Sequence, residues 1–158
     1  MAGITEPDAE RRRAPRHHPW KGRLTSAITD MLRNSPKDLS GIDQTALAAC
    51  IDACFECTTI CTACADACLA EDMVADLTTC IRTNLDCADI CAATGRVLTR
   101  YSGGDSAFVR AALEACLAAC TACAAECAEH AEMHEHCKIC ADACRRCEEA
   151  CTALLATL

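Results

Sequence analysis

The chain has 158 residues, a formal net charge of −8 and 18 cysteines. This length suits a single domain, since domains commonly contain about 100–150 residues. Residues 41–158 hold 7 basic and 18 acidic side chains, a balance of −11, whereas residues 1–40 hold 8 basic and 5 acidic ones. So acidic a body argues against nucleic acid as a partner.

The N-terminal sequence RRRAPRHHPW has consecutive arginines, but no apolar run of about 7–15 residues follows, as an export signal requires. No apolar run approaches the roughly 18 residues of a membrane span either. We therefore expect a cytoplasmic protein whose thiols stay reduced. Residues 1–22 are predicted to be a basic flexible arm. Residues 23–40 are predicted to form a linker and a short amphipathic helix around Leu24, Ile28 and Leu32.

The first cysteine-rich segment, residues 50–68, reads CIDACFECTTICTACADAC. Its six cysteines alternate at intervals of four and three residues, the spacing of the buried seam of a coiled coil. Leu47 extends this seam towards the N-terminus, and Ser40 or Asp43 is suited to cap the start of the helix. The seam ends after Cys68, in the sequence LAEDM.

A second seam covers residues 73–101 and ends at the sequence SGGDS, residues 102–106, which predicts a break between helices. Asp105 or Ser106 would cap the helix that follows. This second helix contributes fewer cysteines than the others, so we expect sparser metal positions along it.

Asn84 stands in the second seam where a cysteine would have paired with Cys80. A single asparagine in a helical seam often fixes the register of the helices. We favour that role for Asn84 over a role as a metal ligand.

The third seam covers residues 109–130 and the fourth covers residues 133–158. The phase slips between them, which we interpret as a turn within AEHAEMHEH, residues 128–136. Four helices of roughly 20–30 residues with short connections predict an all-α fold, an antiparallel four-helix bundle over residues 41–158. Nothing in the sequence alternates with the period of two that a half-buried strand requires.

Sixteen cysteines form eight Cys-x-x-x-Cys pairs. Cβ atoms four residues apart on a helix are about 5–6 Å apart, whereas a disulfide requires about 3.5–4.5 Å. Disulfides between helices stay an alternative. Two thiolates holding a metal linearly, with bonds near 2.3 Å, would place their sulfurs about 4.6 Å apart, which fits the pairs better. The predicted metal ligands are Cys50, Cys54, Cys57, Cys61, Cys64, Cys68, Cys80, Cys87, Cys91, Cys116, Cys120, Cys123, Cys127, Cys137, Cys140, Cys144, Cys147 and Cys151.

Charge favours copper among the metals that bind thiolates. Soft thiolate ligands select Cu(I), zinc or iron–sulfur clusters. One Cu⁺ per thiolate gives a nearly neutral array and avoids burying isolated charge, whereas each tetrahedral zinc–Cys₄ site would carry −2. Iron–sulfur clusters usually take their cysteines from irregular loops. A zinc or general soft-metal buffer is the alternative function, and simple core packing by thiols is a further one.

The two ends of the predicted bundle differ in composition. One end is predicted to be a hydrophobic plug formed by Leu47, Leu98, Tyr101, Val109, Leu113, Leu154 and Leu158. The opposite end, which we call the mouth, collects thioether and imidazole groups beside Cys68 and Cys137. Both groups are copper ligands, so we predict that copper enters there. The predicted mouth residues are Met73, His130, Met133, His134 and His136.

The four cysteine seams, the repeated Cys-x-x-x-Cys pairs and the closing sequence HCKICADACRRCEEAC resemble the bacterial copper storage proteins over about residues 41–158. The resemblance implies a four-helix bundle, often a homotetramer, whose cysteines hold many Cu(I) ions for storage or detoxification. The resemblance implies no catalysed turnover. With its high cysteine count and no twin-arginine signal, the sequence is similar to the cytosolic branch of the family. We expect a copper chaperone or a small thiol as the copper donor. The basic arm is not part of the family pattern.

Overall fold

The computed structural model describes residues 26–103 and 106–158. Its helices are α1 (Ala27–Arg33), α2 (Gln44–Leu69), α3 (Thr78–Thr99), α4 (Ser106–His130) and α5 (Glu135–Leu155), and a 3₁₀ helix, Val74–Leu77, precedes α3. No strand occurs within these two ranges. The arm predicted for residues 1–22, and Leu24 of the predicted N-terminal helix, lie outside the described residues.

Helix α2 begins where a side chain can satisfy its free N–H groups. Asp43 Oδ1 accepts hydrogen bonds from the backbone N–H of Thr45 at 2.8 Å and of Ala46 at 3.1 Å. This confirms Asp43 as the N-cap, one of the two predicted candidates. The cap expected for α4 from Asp105 or the Ser106 side chain lies outside the described part of the chain.

The four long helices form the predicted antiparallel bundle. Helix α2 packs against α3 and α5, and α4 packs against the same two helices, while the short α1 packs on α2. Successive long helices reverse direction across short connections. The last reversal, at residues 131–134, lies within the predicted turn region of residues 128–136.

The seam residues form the core. All 18 cysteines are buried, with exposed fractions between 0 and 2%. Helices α2 and α3 approach closely at Gly95, where an added Cβ would lie 3.2 Å from the Phe55 ring and 3.3 Å from Cys54 Cβ. A side chain at this position would push the two cysteine-bearing helices apart, so glycine is suited to the contact.

The end opposite the mouth is closed by apolar side chains, as predicted. Leu47, Leu98, Leu113 and Leu154 are fully buried there, and Val109 is 5% exposed. Tyr101 and Leu158 are partly buried against the same core.

A lysine that precedes the bundle caps the end of α3. Lys37 Nζ donates hydrogen bonds to the carbonyl oxygens of Arg100 and Tyr101 at 3.2 and 3.3 Å. A cation is favourable at a helix C-terminus because the last carbonyl groups there lack backbone partners.

Residues 44–69 and 107–130 are long and apolar enough to cross a membrane by length and composition, which the sequence analysis did not anticipate. Their apolarity comes largely from cysteine and alanine. Every cysteine on both helices is buried inside the bundle. Since core helices of bundles pass the same test of length and composition, we interpret both as core helices.

The leucine plug should contribute strongly to stability. We expect Leu113→Ala to lower the free energy of unfolding by about 2–5 kcal/mol, because a fully buried leucine leaves a cavity. Urea unfolding of the reduced protein, followed by circular dichroism, measures this loss. Leu85→Ala is the matched control: Leu85 is 45% exposed, and its change should stay within about 0.5 kcal/mol. Equal losses in both variants would contradict a specifically packed plug.

Candidate metal centre

The thiols of the four helices contact one another along the bundle axis. Sγ of Cys61 lies 3.5 Å from Sγ of Cys144, and Sγ of Cys91 lies 3.5 Å from Sγ of Cys120. A disulfide bond would place the two sulfurs about 2.05 Å apart. All 18 cysteines are free, so the interhelical disulfides considered from the sequence are not formed in this structure.

In two of the Cys-x-x-x-Cys pairs the sulfurs contact each other. The distance between sulfurs is 3.6 Å for Cys57 and Cys61, and 3.9 Å for Cys87 and Cys91. Both distances are shorter than the roughly 4.6 Å that a linear two-thiolate metal site would require. Rotation about χ1 of either cysteine can open these pairs without moving the helices.

The sulfurs also form interhelical quartets in which all ligand atoms lie within 4.8 Å of one another. Four of them, which we call the interior quartets, are Cys54/Cys116/Cys147/Cys151, Cys57/Cys87/Cys91/Cys120, Cys57/Cys61/Cys87/Cys144 and Cys61/Cys123/Cys140/Cys144. Four cysteines, Cys57, Cys61, Cys87 and Cys144, each belong to two of these quartets. A thiolate that serves two neighbouring positions can bridge two metal ions, so the arrangement suits a chain of ions sharing sulfur ligands.

Asn84 is fully buried among the thiols. Its Oδ1 accepts S–H hydrogen bonds from Cys140 at 3.0 Å, Cys123 at 3.1 Å and Cys127 at 3.5 Å, while its Nδ2 lies 3.4 Å from Cys80 Sγ. The side chain therefore contacts cysteines of α3, α4 and α5 at once. This is the position where the sequence placed Asn84, facing Cys80, and the contacts suit the register role proposed for it.

At the mouth, one imidazole joins the thiols. His136 Nδ1 lies 3.4 Å from Cys137 Sγ, 3.5 Å from Cys64 Sγ and 4.0 Å from Cys68 Sγ. These four donors form a further group of potential metal ligands, which we call the mouth quartet. His136 is among the predicted mouth residues and the three cysteines are among the predicted ligands, but the spacing of the sequence does not indicate which histidine meets the thiols.

Glu71 orients this imidazole. Its Oε1 lies 3.0 Å from His136 Nε2 and 3.0 Å from His134 Nδ1. The sequence analysis did not single out Glu71, although it lies in the polar LAEDM segment that ends the first seam. The hydrogen bond from His136 holds the pKa of the Glu71 carboxyl below its usual range. Burial alone would lower the pKa of His136, but the contacts with Cys64 and Glu71 outweigh it and raise the pKa.

The other predicted mouth residues are exposed or contact carboxylates. The side chains of Met73 and Met133 are 66 and 73% exposed. His130 Nε2 lies 3.5 Å from Glu126 Oε1, one turn earlier on α4. Among the described histidines, His136 is the one whose ring contacts thiols.

Two of the thiols near the mouth, Cys68 and Cys137, have pKa values raised by burial, which favours their protonated form. Burial raises the pKa of Cys68 to about 12, and burial also raises the pKa of Cys137 well above its ordinary value. Loss of solvation disfavours the thiolate anion in both cases. A metal ion that binds here must therefore displace protons, and binding weakens as the pH falls.

A four-helix bundle whose axis is filled with free thiols defines a class of proteins that hold soft metal ions in their interior. Comparison with known families agrees with the geometry. Residues 43–156 match the copper storage protein family. The chain belongs to this family.

Known relatives cover most of the bundle. The structure of the copper storage protein Ccsp from Streptomyces lividans, loaded with 10 copper equivalents, is 58% identical and has a TM-score of 0.81; the match covers 83% of this chain and 99% of that chain. The Cu(I)-bound copper storage protein BsCsp3 is 38% identical with a TM-score of 0.60, covering 67% of this chain and 94% of that chain. The cysteine-rich protein YhjQ of Bacillus subtilis (strain 168) is 39% identical over 108 residues, which is 68% of this chain and 94% of that protein.

The contacts of Asn84 predict a cost for removing it. Asn84→Ala should lower the free energy of unfolding of the reduced, metal-free protein by about 1–3 kcal/mol, because buried thiols lose their polar partner. Urea unfolding followed by circular dichroism tests this. Asp86→Asn, exposed on the same helix, should change stability by less than about 0.5 kcal/mol. An Asn84→Ala protein as stable as the wild type would argue against the structural role.

Proposed function

We propose that this protein stores Cu(I) in the cytosol, with its 18 cysteine thiolates as the ligands. The observation that carries the proposal is the continuous set of free, buried thiols, in which sulfurs on neighbouring helices lie 3.5–4.0 Å apart. A related chain is described as a cytosolic copper storage protein from Streptomyces lividans. The cytosol keeps thiols reduced, as this arrangement of ligands requires.

The interior favours Cu(I) over zinc for reasons of charge and geometry. Two or three thiolates satisfy Cu(I), and shared thiolates can bridge adjacent ions. The interior quartets overlap in this way. A series of separate zinc–Cys₄ sites would require unshared quartets and would bury about two negative charges at each ion.

The role is storage and release without catalysed turnover. The interior cysteines are buried away from solvent on all four helices, which suits sequestration of an ion and not chemistry on a substrate. A small thiol or a copper chaperone is the expected donor, and a homotetramer is the expected assembly. Nucleic acid is not an expected partner of so acidic a bundle.

Copper is proposed to enter at the mouth. The opposite end is closed by buried leucines, whereas the mouth presents exposed thioethers, partly buried imidazoles and then the thiols of Cys64, Cys68 and Cys137. Thioether and imidazole groups bind Cu(I) more weakly than thiolate does. An incoming ion would thus meet progressively stronger ligands.

An anaerobic titration of the reduced protein with Cu(I), in competition with a chromophoric Cu(I) chelator, tests the storage function. We expect saturation to approach one ion per cysteine, since extensive thiolate bridging allows that ratio. Circular dichroism should show that the metal-free protein is already helical, because neutral thiols pack as apolar groups. Saturation at one ion per two or more thiols, or a preference for zinc when both metals compete, would count against copper storage.

The rate of Cu(I) uptake tests whether copper enters at the mouth. Replacing Met73, His130, Met133, His134 and His136 by alanine should slow Cu(I) transfer from a chelator in stopped-flow measurements, while leaving the final capacity close to that of the wild type. Met31→Ala is a suitable control, since Met31 is 72% exposed on α1, away from the mouth. An unchanged rate in the five-residue variant would exclude this end as the path of copper.

A further inference from the structure

We propose that, before copper is loaded, the mouth quartet formed by Cys64, Cys68, Cys137 and His136 binds a single zinc ion. Two of its residues lie on α2 and two lie on α5. All four donor atoms lie within 4.8 Å of one another. Three thiolates and one imidazole are a common ligand set for tetrahedral zinc.

The distances within the mouth quartet are close to those of a tetrahedral zinc site. With zinc–sulfur bonds of about 2.3 Å and zinc–nitrogen bonds of about 2.0–2.1 Å, a tetrahedron has edges of about 3.8 Å between sulfurs and about 3.6 Å between sulfur and nitrogen. The observed distance from Cys64 Sγ to Cys137 Sγ is 3.9 Å. His136 Nδ1 lies 3.4, 3.5 and 4.0 Å from the three sulfurs. Small side-chain rotations would complete the tetrahedron.

A carboxylate supports the imidazole from behind. Glu71 Oε1 lies 3.0 Å from His136 Nε2, so a proton on Nε2 leaves the Nδ1 lone pair directed at the thiols. Zinc-binding histidines commonly donate their other ring N–H to a carboxylate, which fixes the tautomer and makes the ligand more basic. His134 contacts the same carboxylate oxygen at 3.0 Å and helps to hold it in place.

The mouth quartet differs from the interior quartets in two ways that favour zinc. It contains a neutral imidazole, so a bound Zn²⁺ would carry a net charge of −1 with its ligands, compared with −2 in an all-thiolate quartet. None of its four residues belongs to the interior quartets. It can therefore hold one tetrahedral ion without taking ligands from those four quartets, although Cys68 Sγ also lies 4.0 Å from Cys80 Sγ. The proposal does not make the protein a general zinc store.

Zinc binding at the mouth quartet displaces protons from its thiols. Zn²⁺ binds as the three thiols of Cys64, Cys68 and Cys137 lose one proton each, and His136 binds as the neutral imidazole. Starting from protonated thiols and a neutral imidazole, three protons are released for each zinc ion. No oxidant or reductant takes part.

The test uses the full, reduced, metal-free chain under anaerobic conditions, with one equivalent of Zn²⁺ as the probe. X-ray absorption at the zinc edge should show three sulfur neighbours near 2.3 Å and one nitrogen near 2.0–2.1 Å. Four sulfur neighbours, or no binding in competition with a weak zinc chelator, would overturn the proposal. His136→Ala should lose the nitrogen neighbour; an unchanged spectrum would also overturn it.

Glu71→Gln separates positioning of the imidazole from general damage to the fold. We expect zinc affinity to fall about 10–100-fold, as for other carboxylates that support a zinc-bound histidine. Glu71 is 35% exposed, so the variant should keep the helicity and thermal midpoint of the wild type. Lys138→Ala, exposed on α5 beside the site, should bind zinc as the wild type does. Equal affinity in Glu71→Gln and Lys138→Ala would contradict the role assigned to Glu71.

One consequence rests on the proposed function, because it assumes that copper enters at the mouth. A zinc ion in the mouth quartet should slow Cu(I) uptake, and a zinc indicator should report release of that ion as copper displaces it. If zinc binds with three sulfurs and one nitrogen but leaves copper uptake unchanged, the proposed entry of copper at the mouth is wrong, whereas the proposed zinc site is supported. If zinc does not bind there, the proposed zinc site is wrong, whatever Cu(I) capacity is measured for the protein.

Discussion

Contact between neutral thiols is the interaction on which this structure depends. Eighteen cysteines occupy seam positions that leucine and isoleucine fill in an ordinary bundle, and their sulfurs approach to between 3.5 and 4.0 Å across helices. A protonated thiol packs as a small apolar group, so the bundle can form before metal is present. Deprotonated, the same group is a soft metal ligand. Folding and metal binding therefore use the same atoms.

This double use explains why the rest of the bundle is built as it is. Thiols are small, so the helices must approach closely, and the glycine at position 95 and the many alanines permit that approach. Stability that large side chains would supply in an ordinary core is concentrated at the leucine plug. The opposite end carries polar and thioether groups. Glu71 there contacts two histidines, and one of these, His136, contacts the outermost thiols.

Asn84 lies within the array of thiols and contacts four of them. Its amide contacts Cys80 and Cys127 as well as Cys123 and Cys140. Cys80 and Cys127 contact each other, and Cys80 continues to Cys68 near the mouth. Cys123 and Cys140 instead contact Cys61 of the interior quartets. Asn84 therefore lies where the thiols near the mouth meet those of the interior quartets.

Much of the fold could be predicted from spacing alone. Alternation of three and four residues places side chains on one helical face whatever the tertiary context, so the four helices, their breaks and the buried cysteines followed directly. Asp43 was predictable because capping depends on local sequence. The arrangement at the mouth was not predictable, since it depends on how α2 and α5 meet. Periodicity could not indicate that His136 would face the thiols while Met73 and Met133 stay exposed, or that Glu71 would join two histidines.

The central claim is that metal fills the axis of the bundle between the thiols. Anomalous diffraction at the copper absorption edge, from crystals of the fully loaded protein, tests it most directly. We expect anomalous peaks along the axis, from the region of Cys50 and Cys151 at the closed end to Cys68 at the mouth, each within bonding distance of two or three sulfurs. Copper confined to surface side chains or to the mouth, with the interior thiols still in mutual contact, would contradict the claim.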